Sequence, residues 1–316
     1  MLTLFTEPSL NITYQVYGLA KNTVKHILRK PILAYSGHFA VMRSLDHGLT
    51  QLGTMFNYNP KRYSDLGDHV HVLGGTKALQ MAVALKKKNK IRHLSAGPNV
   101  FLDAFESDKL VMASELRTYL CPSEWVVDFF GTQVAECREK LRVWAAGVDP
   151  DYWTPAEGGA RFKRNCVLYI KNYNDHEFIK KIEQACISEG YRVNLIKYGS
   201  YSKEEYLACL QQADFMIAVG TTESQCLAHF EAWSANVPVI CFRQDVYNYQ
   251  GRVYKASSSP YLNQQVGFFF QNIGELALIL KDNKIFSLKP REWILNAHTD
   301  KLSAANFLEK IGYVIG

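Results

Sequence analysis

The chain has 316 residues, of which 47% are hydrophobic and 21% are charged, so two folded domains are expected and extended disorder is excluded. Its 36 basic and 30 acidic side chains give a net charge of +6, which weakly favours anionic ligands and argues against a dedicated nucleic-acid-binding protein. Seven scattered cysteines without a Cys-x-x-Cys pair, and no stretch of about 18 apolar residues, predict a cytoplasmic protein that is neither secreted nor membrane-spanning.

From residue 31 onward, short apolar runs alternate with helical patterns, which is typical of a parallel α/β sheet. The expected strands are residues 32–35, 70–73, 92–96, 118–122 and 141–145. The expected helices between them are residues 40–52, 76–88 and 124–131. We therefore expect residues 1–156 to form one doubly wound, Rossmann-like domain.

A second series of the same kind follows the linker-like residues 157–159. Its expected strands are residues 166–171, 193–198, 215–219, 237–242 and 266–270. Its expected helices are residues 176–189, 203–212, 224–235 and 273–281. Residues 157–289 are thus predicted to form a second Rossmann-like domain, and residues 290–316 two terminal helices that could pack back on the first.

Polar and glycine residues follow the expected strands of the first domain. They are Gly37, His38, Gly74, Gly75 and Asn99. When two doubly wound domains face a central cleft, ligands bind at the carboxyl ends of the strands, so these residues are expected to line that cleft. Gly37 would let the backbone approach a ligand, whereas His38 could be a ligand contact or a capping and packing residue.

One dense basic run, residues 86–92, follows the second expected helix and contains four lysines and an arginine. It could be a solvated helix end, where cations complement the helix dipole. It could also bind an anionic membrane or acceptor surface, which would make the protein peripheral at a membrane.

The most informative segment is residues 219–242, where a buried strand is followed by a polar turn, a helix and another strand. Glu223 lies at the expected helix start and Glu231 lies eight positions later, about 12 Å along a helix axis. This is too far for the carboxylate pair of a glycosidase, which needs about 5 to 9.5 Å. The spacing matches a ligand with two polyhydroxyl ends and a diphosphate between them.

The same segment has a simpler interpretation. Glu223 could be a first-turn acid that stabilises its helix, and Glu231 could lie on a solvated face. In the functional interpretation, the free amide groups near Ser224, Gln225 and Cys226 bind the anion, because a helix start is electropositive and has unsatisfied N–H groups.

Residues 223–232 read Glu-Ser-x-x-Leu-Ala-x-x-Glu-Ala and precede a Pro-Val-Ile strand. This pattern resembles the Glu, seven residues, Glu element of retaining GT-B glycosyltransferases of the group 1, family 4-like type. The resemblance implies that Glu223 lies by the donor sugar, that Glu231 holds the nucleotide ribose, and that the backbone between them faces the diphosphate. The backbone positions are Ser224, Gln225, Cys226 and Leu227. Cys226 and Asn236 stand where the family usually has glycine.

Two further segments carry the resemblance. Residues 121–125 and 140–155 include a Pro-Ser turn after a strand, a Gly-Val-Asp turn and a later Trp-Thr-Pro, and they are similar to the family's segment leading out of the acceptor-side domain. Lys171, at the first strand end of the second domain, matches a cation that the family places on the diphosphate. Gly199 is expected to contact the donor as well, and the resemblance implies the same for Gly37, because the family has a glycine-bearing loop at that place. The family's second cation has no direct match, and Lys197 or Arg243 could replace it.

The sequence contains no His-Glu-x-x-His, Asp-x-Asp or clustered cysteines, which disfavours a metal site, and no dinucleotide or Walker loop. The resemblance implies a metal-independent, retaining hexosyltransferase without a cofactor, in which Glu223 and Lys171 take part in catalysis. Its expected partners are a UDP- or GDP-sugar and a glycan or lipid-linked acceptor, and no nucleic acid. Two alternatives remain: a catalytically weak nucleotide-sugar or glycan-binding protein, and a GT-B-like epimerase or phosphorylase.

Overall fold

The computed structural model describes residues 1–6, 37–60, 62–158 and 164–314. The expected strand 32–35 lies outside these residues. The chain divides into two compact units. The first unit contains His38–Ala146, the N-terminal strand and the stretch that begins at Lys301, and the second contains Gly147–Asp300. The units thus divide at Gly147, before the boundary expected at residue 157.

Among the described residues of the first unit, six parallel strands form a sheet with the order β2-β1-β3-β4-β5-β6. The strands are β1 (Leu2–Thr6), β2 (Phe56–Tyr58), β3 (His69–Gly74), β4 (His93–Asn99), β5 (Thr118–Cys121) and β6 (Leu141–Val143). The expected strands at β3 to β6 are confirmed, but β1 and β2 are additional. All five residues of β1 are buried, as expected for an interior strand of a parallel sheet.

Four longer helices accompany this sheet. They are Gly37–Gln51, Thr76–Lys87, Glu124–Gln133 and Asp300–Ile311. The last one returns to the first unit after the whole second unit has been traversed. Its Phe307 packs edge-on against the rings of His71 and Trp144, and the indole N–H of Trp144 donates to the carbonyl of Ser303 at 2.9 Å. Shorter helical turns are Tyr63–Asp65, Glu106–Lys109, Leu110–Met112 and Ala135–Lys140.

The basic run lies at the carboxyl end of the helix Thr76–Lys87 and in the turn after it. Lys86 donates a hydrogen bond to the carbonyl oxygen of Arg92. The ammonium group of Lys86 therefore supports the chain reversal into β4, in agreement with the helix-end interpretation. Across the described ranges, no helix combines the length and the apolar character needed to span a membrane.

In the described part of the second unit, five parallel strands form a sheet with the order β13-β10-β9-β7-β8. A separate antiparallel hairpin joins β11 to β12. The strands are β7 (Asn165–Lys171), β8 (Arg192–Lys197), β9 (Phe215–Gly220), β10 (Val239–Phe242), β11 (Val246–Tyr249), β12 (Arg252–Lys255) and β13 (Gly267–Phe270). The five expected strands are confirmed with small shifts at their ends, and the hairpin is additional.

Helices cover both faces of this sheet. They are His176–Ser188, Lys203–Gln212, Leu227–Ser234, Ile273–Lys281 and Pro290–Ala297, with a short turn at Asn283–Ser287. The core on one face contains Cys166, Leu168 and Ile170 of β7. Because side chains alternate along a strand, Tyr169 and Lys171 project from the other face. That second face carries the candidate site.

The helix expected at residues 224–235 begins three residues later than expected. The helix runs from Leu227 to Ser234, and we call it the site helix. Cys226, immediately before it, has φ of 67°, a left-handed conformation that an α-helix interior does not allow. Glu223 consequently lies in the loop before the helix, so the distance of 12 Å along a common helix axis does not apply.

Candidate functional site

The candidate site lies where two neighbouring parallel strands end. Lys171 of β7 is in register with Gly220 of β9. A side chain at Gly220 would place its β-carbon 2.8 Å from the carbonyl oxygen of Lys171, so glycine is required for this close approach. The chain then runs from Gly220 through Glu223 into the site helix. The strand ends therefore bring the loop that carries Glu223 next to Lys171.

Lys171 and Glu223 form an ion pair across 52 residues of sequence. The ammonium nitrogen Nζ lies 2.8 Å from Oε1 and 2.9 Å from Oε2 of the carboxylate. The two side chains are only 24% and 14% exposed. Burial alone would lower the pKa of Lys171, but the adjacent Glu223 carboxylate outweighs it and the pKa of Lys171 is raised. The lysine is therefore protonated at neutral pH.

A second feature holds the ammonium group in place. Nζ of Lys171 lies 4.6 Å from the ring centroid of Tyr198, which is a favourable cation–π distance. Tyr198 follows β8, and Gly199 comes next with φ of 82°. The predicted donor residue Gly199 thus lies in the loop beside Lys171. Of the two candidates for a second cation, Arg243 is exposed and pairs with Asp245 at 2.7 Å, and Lys197 is exposed.

The start of the site helix differs from the expected one. Ser224 is exposed, whereas Gln225 and Cys226 are buried. Cys226 is the N-cap residue, and its side chain makes no capping hydrogen bond. Burial and the charge of Glu223 raise the pKa of the Cys226 thiol well above its usual value, so this thiol is neutral and is not a nucleophile. The amide groups at the observed start of the helix belong to Leu227 and Ala228.

Glu231 lies in the second turn of the site helix and is 4% exposed. The interpretation as a solvated face residue is therefore wrong. Tyr201 and Tyr206 lie near it, and the hydroxyl oxygen of Tyr201 is 3.2 Å from that of Tyr169. Burial, together with the nearby charge of Glu231, raises the pKa values of Tyr201 and Tyr206. The two tyrosines near this buried carboxylate are therefore neutral at pH 7.

A serine-rich loop, residues 257–259, contacts both the Glu223 loop and the site helix. The backbone N–H of Glu223 donates to the carbonyl of Ser257 at 2.8 Å. His229 of the site helix contacts the hydroxyl of Ser259 through Nδ1 at 2.8 Å. Burial, with the charge of Lys171 as a smaller cause, lowers the pKa of His229 to about 3. In the sequence, the signals for this contact are the run of three serines and a histidine inside an otherwise apolar helix pattern.

Four of the residues predicted in the first domain lie close together in the first unit. The Nε2 atom of His38 lies 2.9 Å from the hydroxyl oxygen of the buried Thr6, at the end of β1. A side chain on Gly74 would place its β-carbon 2.5 Å from the His38 ring and 3.2 Å from the carbonyl oxygen of Asn99. The N–H of Gly75 donates to the same carbonyl at 3.4 Å.

His38, Gly74, Gly75 and Asn99 are therefore brought together at the carboxyl ends of β1, β3 and β4. Gly37 is exposed at the start of its helix, and a side chain there would meet nothing within 4 Å. His38 has the packing role of the simpler interpretation through its bond to the Thr6 hydroxyl. A ligand-binding role for these residues remains a prediction.

Comparison with known proteins gives matches in structure and none in sequence. No protein-family model and no curated protein matches the chain. The sucrose-phosphate synthase of Thermosynechococcus elongatus aligns with a TM-score of 0.56 at 12% identity, over 98% of each chain. The lipopolysaccharide outer core galactosyltransferase WaaB aligns with a TM-score of 0.55 at 12% identity, over 98% of this chain and 99% of the other.

A third solved structure is the catalytic domain of starch synthase IV from Arabidopsis thaliana, bound to ADP and acarbose. It aligns with a TM-score of 0.53 at 12% identity, over 88% of this chain and 78% of the other. At such low identity the likeness shows the fold alone. Together with the two parallel sheets, it confirms the expected class: an α/β protein of the GT-B type with two Rossmann-like domains.

Proposed function

We propose that the second unit binds a nucleotide-sugar and that the protein transfers the sugar, with retention of its anomeric configuration, to a glycan or lipid-linked acceptor. The observation that carries this proposal is the partly buried Lys171–Glu223 pair beside the start of the site helix. Ligands of open parallel sheets bind at the carboxyl ends of the strands, and this pair lies at the ends of β7 and β9.

Lys171 and the site helix supply the groups that a diphosphate requires. A lysine ammonium is a compact point charge that suits phosphate oxygens, and the first amide groups of a helix bind anions. Both act on the negative charge that develops when a nucleoside diphosphate leaves a sugar. We therefore propose that departure of the nucleoside diphosphate needs no metal ion.

The two glutamates are proposed to hold the ends of the donor. Glu223 would accept hydrogen bonds from sugar hydroxyls, and the buried Glu231 would accept them from the ribose hydroxyls. A carboxylate that is 4% exposed favours ligands that donate a hydrogen bond to it over ligands that do not. Leaving it without a hydrogen-bond donor costs about 1 to 3 kcal/mol or more. Among the structures with this fold, the starch synthase was determined with ADP and acarbose bound.

A second candidate is a protein that binds nucleotide-sugars without transferring them. Cys226 favours it, because its buried side chain stands at the helix start where glycine would leave room beside the diphosphate. An epimerase or phosphorylase would use the same binding groups for a different reaction.

The test is to incubate the protein with UDP-, GDP- and ADP-sugars and a panel of glycan and lipid-linked acceptors, with and without EDTA. We expect release of nucleoside diphosphate that EDTA does not abolish, and a product with the donor's anomeric configuration by NMR. Binding without release would support the binding protein, and a donor isomer would support the epimerase. Lys171→Gln should remove release, and Lys181→Gln, at an exposed lysine that pairs with Glu177 in its own helix, serves as its control.

A further inference from the structure

The charges of Lys171 and Glu223 are paired with each other. Both carboxylate oxygens lie within 2.9 Å of the ammonium nitrogen, and both side chains are largely shielded from water. On the proposed function, the same two groups are assigned to different parts of the donor. A diphosphate therefore cannot take the full charge of Lys171 unless the contact with Glu223 weakens.

Resting on the proposed function, we infer that Glu223 competes with the diphosphate for Lys171 and so makes the site favour the intact nucleotide-sugar over the free nucleoside diphosphate. Glu223 is thus a specificity-determining residue that discriminates donor from product.

The site favours the nucleotide-sugar because of what the Glu223 carboxylate contacts once the ion pair is weakened. A nucleoside diphosphate draws Lys171 away and places negative charge near Glu223, whose carboxylate is only 14% exposed. Removing one partner from a shielded ion pair leaves a poorly solvated charge and is costly. A nucleotide-sugar offers the same phosphate charge, but its sugar hydroxyls donate hydrogen bonds to the carboxylate. Only the ligand with both groups offsets the loss of the pair.

Backbone contacts hold Glu223 and Lys171 at the same site. Its N–H is fixed to the carbonyl of Ser257 at 2.8 Å, and the left-handed Cys226 follows shortly after. Lys171 is fixed at the end of an interior strand, and the ring of Tyr198 remains beside its ammonium group. Both side chains are therefore attached to well-supported backbone, so a diphosphate that binds Lys171 leaves the Glu223 carboxylate nearby.

The experiment measures dissociation constants by calorimetry for three ligand pairs: UDP and UDP-glucose, GDP and GDP-mannose, ADP and ADP-glucose. We expect the wild type to bind the sugar ester more tightly than the matching diphosphate. Glu223→Gln should bind the diphosphate about tenfold more tightly than the wild type, because Lys171 is released from its partner. The preference for the sugar ester should disappear. Glu231→Gln is the matched control and should weaken both members of a pair alike.

A double variant tests the cause. In a Lys171→Met background, Glu223→Gln should give a clearly smaller gain in diphosphate affinity, because only the repulsion between the carboxylate and the diphosphate is relieved and no ammonium group is left to release. Unchanged or weaker diphosphate binding by Glu223→Gln, or an equal gain in the Lys171→Met background, would overturn the inference. If the wild type binds none of the six ligands, the proposed function itself is wrong.

Discussion

Cys226 and Asn236 stand on either side of the site helix Leu227–Ser234, and both have left-handed backbone, with φ of 67° and 61°. After the helix, the N–H of Asn236 donates to the carbonyl of Trp233 at 3.0 Å and closes the last turn. Left-handed residues are common after helices and favour glycine, and asparagine tolerates them nearly as well. Asn236 therefore adopts this conformation at little cost, whereas Cys226 has a β-carbon in an unfavourable conformation.

Replacing Cys226 by glycine should have a small effect on stability. The change relieves the left-handed penalty of about 1 to 2 kcal/mol and loses a small buried side chain worth about 1 kcal/mol. The free energy of unfolding in urea should therefore change by less than about 1 kcal/mol. Cys226→Val keeps an apolar side chain but adds branching at the β-carbon, and should lose about 2 kcal/mol or more. Equal losses for both variants would contradict the role of the backbone conformation.

Removing the contact between the serine-rich loop and the site helix should lower turnover without weakening nucleotide binding. Ser259→Ala removes the partner of His229, and the adjoining Ser257 carbonyl then holds the Glu223 backbone less firmly. We expect kcat to fall about tenfold while the dissociation constant of the nucleoside diphosphate stays within about twofold, because this loop does not hold Lys171.

The control for this prediction is at His229 itself. His229→Asn keeps a polar atom near the position of Nδ1 and should retain most of the turnover, whereas His229→Leu should behave like Ser259→Ala. A parallel loss of nucleotide affinity and kcat in Ser259→Ala would indicate a general structural role instead.

Acidification should destabilise the first unit through His71. Burial lowers the pKa of His71 from 6.5 to about 3, and its two ring nitrogens contact Ser95 and the carbonyl of Gly97. The unfolded chain therefore binds a proton that the folded chain does not bind between these pH values, and stability is lost as the pH falls below 6.5. The loss should be about 2 kcal/mol between pH 7 and pH 5.

The variant His71→Gln isolates this effect. It should be less stable at pH 7, because it packs less well, but the difference between its unfolding free energies at pH 7 and pH 5 should be about 2 kcal/mol smaller than in the wild type. Urea unfolding at pH 7 and pH 5 measures this change in unfolding free energy for the wild type and for the variant. If the change is the same in both proteins, His71 is not the titrating group.

Arg291 should be the main support of the segment before the second sheet. Its guanidinium group donates to the carbonyls of Pro150, Trp153 and Ser234. Arg291→Met should lower the unfolding free energy by about 2 to 3 kcal/mol, because three carbonyl groups lose a charged donor. Arg291→Lys should recover less than half of this lost unfolding free energy, since one ammonium group cannot reproduce the planar, forked guanidinium group. Full recovery by lysine would show that charge alone is required.

The sequence by itself determined the alternation of strands and helices in both units, because that alternation depends on local periodicity and on turn residues. It also identified Lys171 and Glu223 as polar residues after buried strands. The short strand β2 and the hairpin β11–β12 were not identified, since segments of three or four residues carry too little periodicity. The strand β1 reads as a brief apolar run, and its burial depends on neighbours far along the chain.

Only the tertiary structure decided that Lys171 and Glu223 bind each other, because their meeting depends on β7 and β9 being neighbours in the sheet. It also moved the helix start from Ser224 to Leu227, since the left-handed Cys226 interrupts a pattern that is otherwise helical. Local sequence specifies which groups stand at a strand end. Strand order and backbone handedness, which arise from packing across the whole unit, specify which of those groups come into contact.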